Sequence, residues 1–288
     1  MKVEVYNEIL KEIKSFSGSG RKYTKHLQDK FPSVSDLTLA SIYSLEYQRK
    51  MKRTHQKFYN IIEELYDRYT SAIEAGEDVG VMLRLAEEID LSPALLARMI
   101  LEKFYEKHSE EGAEPATKSF LTKLMKDTTL IKDKDLAYEI YLCVVYDDQY
   151  GAITDCVKHS LGQEYEFRLQ RMVKDLNIPF RDEEHLRRHG YDKTPDIKLE
   201  IPFAVDGFVV NWIESKALFG DEEGHNTYFK DQYLSYWNRF GPGLVIYWLG
   251  FIETLELRTE KCIIIREDFP TNITLMDPTS IEPHPVTV

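Results

Sequence analysis

The sequence predicts a two-part protein of mixed α+β and α/β character: an all-α, helix-turn-helix N-terminal domain, then a core with a mixed β-sheet flanked by helices. Three observations predict it. Apolar residues recur at helical spacing from residue 1 to about 110. The run Asp196-Ile197-Lys198-Leu199-Glu200-Ile201 alternates polar and apolar, and Phe208 to Lys216 is rich in β-branched and aromatic residues. Finally, Leu244-Val245-Ile246-Tyr247-Trp248 and Cys262-Ile263-Ile264-Ile265 read as buried central strands.

In chain order, residues 1–112 form the helical domain, where Ser33-Val34-Ser35-Asp36 offers a helix cap. Leu85 to Ile100 reads as helix, short turn, Ser92 cap with Pro93 at the first helical position, then helix. The second of these helices is mostly apolar where base readout needs polar groups. A winged-helix-like scaffold or protein-contact module is therefore expected, with Arg98 a candidate phosphate contact. Between Arg21 and Lys57 nine Lys or Arg stand against three acids, densest at Arg49-Lys50-Met51-Lys52-Arg53. Arg49, Lys50, Lys52 and Arg53 are candidate nucleic-acid contacts or an import signal; a solvated helix face competes equally. Ser109 to Thr117 is the expected linker, residues 113–150 a helical bridge, 151–276 the mixed core, and 277–288, with three prolines, a disordered tail.

The hairpin carries the chemistry. Asp196 and Lys198 share one side of the first strand, Glu214 and Lys216 one side of the second, while Ile197, Leu199 and Ile201 face away. A two-residue turn at Asp206-Gly207 pairs residues whose numbers sum to 413, which puts Asp196 and Glu214 on opposite faces. A three-residue loop with Gly207 left-handed gives 412 and makes the carboxylates diagonal neighbours, Asp196 facing Lys216. A bulge at Pro202 has the same effect. An odd register shift between Ile201 and Phe208 is the expectation.

Gly190-Tyr191-Asp192-Lys193-Thr194-Pro195-Asp196, Trp212-Ile213-Glu214-Ser215-Lys216-Ala217, Phe219-Gly220-Asp221 and Tyr236 to Trp248 together resemble the TPD branch of the PD-(D/E)XK (restriction-endonuclease-like) nuclease superfamily. The resemblance is strong over roughly residues 151–275 and looser before them. It implies a metal-dependent DNA endonuclease, with junction-resolvase-like structure selectivity as an analogy of fold. It also implies Asp196, Glu214 and the Ser215 carbonyl as ligands of Mg2+ or Mn2+, with Lys216 orienting water. The upstream acid is Glu166, with Glu164 as the alternative, on a helix whose buried face is Tyr165, Leu169, Met172, Val173 and Leu176. Gln232 and Tyr236, four apart, suggest an auxiliary motif, with core packing slightly favoured for Tyr236 alone. Asp192 and Asp221 are weaker metal candidates that compete with turn capping; His225 is expected at the surface. Codanin is the implied protein partner, and the competing reading is a nuclease fold kept as codanin's partner in chromatin assembly and erythroid differentiation, with little catalysis.

Composition sets the outer limits. A net charge of −12 opposes non-specific binding of polyanions, so any DNA contact depends on local charge. The three cysteines, Cys143, Cys156 and Cys262, are not in zinc-site spacing and read as reduced thiols. No apolar run reaches membrane-spanning length and the first residues lack a secretory apolar stretch, so no membrane partner is expected. With the candidate import signal at Arg49 to Arg53, a nuclear and cytoplasmic protein is the expectation. Absence of a Walker glycine loop, a Gly-x-Ser-x-Gly elbow and a His-Glu-x-x-His motif leaves no rival catalytic set and no small-molecule cofactor.

Overall fold

Helical spacing in the first half of the chain is realised as α1 (Val3–Ser15), α2 (Gly20–Lys30), α3 (Asp36–Tyr59), α4 (Ile62–Glu74), α5 (Val81–Glu88), α6 (Pro93–Lys107), α7 (Lys118–Lys126) and α8 (Lys134–Tyr146). The computed structural model describes residues 1–15, 20–108, 116–256 and 262–277; most of the expected linker and the tail from 278 lie outside these. Two compact units emerge, Glu8–Ser160 and Met1–Asn7 with Leu161–Val288, and the boundary falls inside α9 (Ala152–Asp175).

In the helical unit the caps read from sequence are made. Ser35 accepts from the Thr38 amide, and Ser92 accepts from the Leu95 amide with Pro93 at the first turn of α6. Asp147 reinforces this end of α6 by accepting from the Ser92 hydroxyl and the Ala94 amide. The core holds Leu65, Met82, Leu96 and Ile100 together with Leu121, Leu124, Leu136, Ile140 and Cys143. Residues 116–150 thus share the core of the helical unit instead of standing apart as a bridge. The α5–turn–α6 pair exists as helices, but α6 buries Leu96, Ala97, Met99, Ile100 and Leu101 in that core. A helix that reads DNA offers polar side chains to base edges; α6 spends its surface on packing instead.

The second unit adds β1 (Phe180–Asp182), α10 (Glu183–Arg188), β2 (Ile197–Val205), β3 (Phe208–Lys216), α11 (Glu222–Tyr228), a π-helical turn at Phe229–Tyr233, α12 (Leu234–Phe240), β4 (Gly243–Tyr247), β5 (Ile263–Arg266) and β6 (Ile273–Leu275). The sheet is mixed, in the order β1-β2-β3-β4-β5, with β6 beside β2; β3, β4 and β5 run parallel and the other pairs antiparallel. Leu169 and Val173 of α9 pack with Ile197, Leu199, Val210, Ile213, Leu244 and Ile246 on one face. On the other, Trp212 meets Tyr233 and Tyr236.

The hairpin turn is the two-residue one, with Asp206 at φ 51° and Gly207 at φ 81°, both positive as a type I′ turn requires. The three-residue loop is therefore replaced, because Asp206 tolerates the left-handed conformation and is held by Arg266 and Asn272. The odd shift lies further along. Pairing passes from Phe203↔Val210 to Lys198↔Trp212, so pair numbers fall from 413 to 410 across Leu199–Pro202. Ile201 lies in the slipped segment and is exposed, not on the buried face expected of it.

Gly243, at the start of β4, lies against Trp212: a Cβ there would come within 2.1 Å of the indole. Gly243→Ala is expected to cost about 3 kcal/mol or more through overpacking. Gly207→Ala meets nothing within 4 Å and should cost only the left-handed strain, about 1 kcal/mol. Urea unfolding of both variants tests the ranking; equal losses would mean that the Trp212 contact is not tight.

Candidate active site

The register just described sets the carboxylates face to face. The pair sum of 410 at Ile197↔Ile213 puts Asp196 next in line to Glu214, not Lys216 as a sum of 412 would, and the two carboxylates feel each other's charge. Asp196 lies beyond the last strand pair, and its Oδ2 accepts from the Ser215 amide at 2.7 Å. A side-chain carboxylate thus continues the ladder where the backbone of β2 leaves it. Lys216 donates from Nζ to Glu214 Oε1 at 2.6 Å and to Gln232 Oε1 at 3.0 Å. Its ammonium also lies 4.5 Å from the centre of the Tyr228 ring, a cation–π contact.

Electrostatics in this cluster are strained in a consistent direction. Glu214 is buried, while Asp196 and Lys216 keep limited solvent access, so the group is deep but reachable. Burial, then the charge of Glu214, raises the Asp196 carboxyl well above its ordinary range; the Ser215 amide and Lys216 offset this in part, and Glu166 adds to the rise. Burial also raises Glu214, against the pull of Lys216. Burial disfavours the Lys216 ammonium, yet Glu214 and Asp196 outweigh it and leave the lysine firmly charged. Glu214 Oε2 is buried and makes no hydrogen bond. A buried, unpartnered carboxylate oxygen beside a second carboxylate is what a hard cation binds, so the donor set fits Mg2+ or Mn2+. Among the described residues no three His, Cys, Asp or Glu side chains form a metal cage. An ion would therefore meet the carboxylate pair and backbone oxygen.

The structure brings together Asp196, Glu214, Ser215, Lys216 and Gln232, with Glu166 half-buried and within electrostatic reach of Asp196; Glu164 is exposed. Tyr165, Leu169 and Val173 do face inward, but Leu176 follows the end of α9 and is exposed. Tyr236 is buried in the core and its hydroxyl donates to the Thr194 carbonyl at 2.8 Å, holding the Thr194-Pro195-Asp196 turn. Asp192 is spent on Arg239, which holds its carboxyl below the usual range. Asp221 caps α11 through the Gly224 amide and accepts from the Tyr6 hydroxyl. His225 is fully buried, not at the surface, and its Nδ1 lies 3.0 Å from the Tyr247 hydroxyl. A Gly-His-Asn stretch looks loop-like in isolation; α11 orders it.

Two contacts were not read from sequence. Tyr228 precedes Gln232 by four, so a Tyr-x-x-x-Gln-x-x-x-Tyr spacing was there to be seen. Trp248 donates from Nε1 to Ser215 Oγ at 2.8 Å and stacks on Tyr165, linking α9 to β3, with no sequence signal beyond its own apolar run. The basic candidates lie in the helical unit, where Arg49 pairs with Glu46 at 2.8 Å and Lys50 with Asp90. Arg53 donates to the Arg49 carbonyl, Lys52 is exposed, and Arg98 is tied to Thr122 and the Lys118 carbonyl.

Comparison with known proteins places the chain. Residues 132–269 match the family described as "Protein of unknown function TPD sequence-motif". The CDAN1-interacting nuclease 1 of Xenopus tropicalis is 48% identical over 255 residues, 88% of this chain and 83% of the relative. The human protein of that name is 46% identical over 270 residues, covering 93% and 95%, and the Danio rerio one 46% over 255 residues, covering 88% and 84%. No solved structure matches significantly.

The raised carboxyls give a pH test in chelator. The folded state holds these protons more tightly than the unfolded chain, whose carboxyls titrate near 3.8 and 4.5. Their contribution is therefore present at low pH and lost as pH rises through the folded values. In EDTA, Asp196→Asn should gain stability relative to wild type between pH 5 and pH 8. Thermal melts that show a flat or reversed difference would sink this account of the pair.

Proposed function

The chain belongs to the family of CDAN1-interacting nuclease 1 proteins, and from that membership we propose that it is a divalent-metal-dependent DNA endonuclease. The observation that carries the reading is Glu214 Oε2, buried and unpartnered beside Asp196 and Lys216. A purely structural ion pair satisfies its lone pairs; here one buried carboxylate oxygen has no donor, as suits an atom that ligates a cation.

Asp196, Glu214 and the Ser215 carbonyl are the groups that would hold Mg2+ or Mn2+, which when bound lowers the pKa of a coordinated water and offsets phosphate charge. The protein's own residues do the rest. Lys216, oriented by Gln232 and the Tyr228 ring, stays protonated and donates toward the phosphate as negative charge builds on it. Glu166 adds a third acid on the α9 side of Asp196. Tyr236 and Trp248 fix the turn and strand that carry the ligands. We infer too that the chain binds codanin, since its relatives are named for interaction with CDAN1. Selectivity for branched DNA remains an analogy to junction resolvases.

Purified protein incubated with labelled single-stranded, duplex, flap and four-way-junction DNA and Mg2+ or Mn2+ tests the reading. Cleavage should fall roughly 100- to 1000-fold or more in Glu214→Ala and Lys216→Ala. Equal activity in wild type and variants would overturn the site assignment. Inactive wild type that still binds codanin would favour a partner role without catalysis. Independently, Mn2+ at about 100 times its Kd should stabilise the folded protein by about 2.7 kcal/mol. Asp196→Ala should abolish that shift.

A further inference from the structure

Past Glu166, α9 continues through Gln170 and Lys174, which follow at four-residue spacing and therefore lie along one side of the helix. Gln170 and Lys174 line a cleft of about 450 Å3, with Arg181 of β1 and His185 and Arg188 of α10 across from them. Cations exceed carboxylates in its lining, Lys174, Arg181 and Arg188 against Asp182 and Glu184. Asp182 is occupied in capping α10 through the His185 amide at 2.8 Å. Arg188 pairs with Glu184 and Arg181 with Glu200, but these are exposed pairs, which an incoming anion can share at little cost. The Lys174 ammonium rests 5.8 Å from the centre of the Phe180 ring and not on a carboxylate. His185 Nε2 is buried and makes no hydrogen bond. In a chain of net charge −12, a cationic cleft one helix face along from an acidic centre requires a reason.

We propose that this cleft is a phosphate subsite for a nucleic-acid strand whose scissile bond lies at the Asp196–Glu214 centre. The inference rests on the nuclease reading for the identity of the strand, though not for recognition of phosphate. From Glu166 to Lys174 the helix advances roughly 12 Å. Duplex strands advance about 3.4 Å per nucleotide, so the subsite would take a phosphate a few nucleotides from the cut. The phosphate is either internal to the strand or a terminal 5′-phosphate; both offer the same oxygens to Lys174, Arg188 and His185.

The test is fluorescence anisotropy in EDTA with the full chain and 3′-labelled single-stranded DNA bearing a 5′-phosphate or a 5′-hydroxyl. Lys174→Ala combined with Arg188→Ala should weaken binding about tenfold and reduce the slope of log affinity against log salt by roughly one. Equal weakening for both strands assigns an internal phosphate, and weakening of the phosphorylated strand alone assigns the terminal one. Unchanged affinity and slope with both strands would overturn the subsite. If wild type binds neither strand, cleavage of the four DNA forms in Mg2+ or Mn2+ decides the nuclease reading separately, and inorganic phosphate decides the cleft. His185 ring resonances that move on phosphate titration in wild type, and not in the double variant, support it; unmoved resonances overturn it.

Discussion

Two carboxylates can share one ion only if both leave the sheet on the same face, and here the pairing of β2 with β3 decides that. Side chains alternate along a strand, so an odd slip in register exchanges the faces of everything beyond it. The slip of three across Leu199–Pro202 lets Val210 and Ile213, which differ in parity, both enter the same core. Trp212 and Glu214 then turn to the other face together. Past the end of β2, the Asp196 carboxylate takes the Ser215 amide and fixes itself opposite Glu214. The bare Gly243 beneath Trp212 and the Tyr236 hydroxyl on Thr194 hold the two strands at that setting. Removing the slip would leave every residue of the site in the chain and none of them in one place.

The arrangement is costly for the folded protein. Burying a charged carboxylate costs several kcal/mol even after relaxation, and a second one alongside adds repulsion. Lys216 neutralises one of the two charges, and it is itself held by Glu214 Oε1 and Gln232. One oxygen of Glu214 remains unbonded. The cost is borne by the apolar packing around it, α9 against one face of the sheet and the Trp212–Tyr233–Tyr236 cluster against the other. Such a balance accounts for the close fit of large aromatic rings beside the most strained charges in the unit.

Much of this was legible in the sequence because it depends on period and parity. Alternation in 196–201 and β-branched content in 208–216 specify two strands, and the need for convergent carboxylates specifies an odd shift. The site of the shift was not legible: a two-residue turn and a slip near Pro202 satisfy the same parity as a three-residue turn. Asp206 at positive φ, held by Arg266 and Asn272 from distant positions, made the tighter turn affordable. His225 and Leu176 failed for a related reason, since burial depends on what covers a residue and not on its own neighbours in sequence. Helical spacing singles out Gln232 beside Tyr236, but not its bond to Lys216 sixteen positions back, nor the bond of Trp248 to Ser215 across 33 positions.

The basic island of the helical unit raises the same issue of partners. Nine cations among residues 21–57 look like a polyanion surface, yet most of the densest run, 49–53, is committed elsewhere. The Arg49 side chain is only 16% exposed and Glu46 only 11%, so their ion pair is largely removed from water. Pulling Arg49 away to meet a phosphate would strand Glu46 in that setting, a far larger cost than opening an exposed pair. Arg98 is similarly committed to α7. A cation count therefore overstates what a surface can offer a strand. The cations that can be recruited are those whose present partners are exposed, as with Lys52, which lies open on α3, and Arg188, whose Glu184 partner is 73% exposed. By that criterion the charge available for a nucleic acid is set by the burial of the carboxylates and not by the number of lysines and arginines.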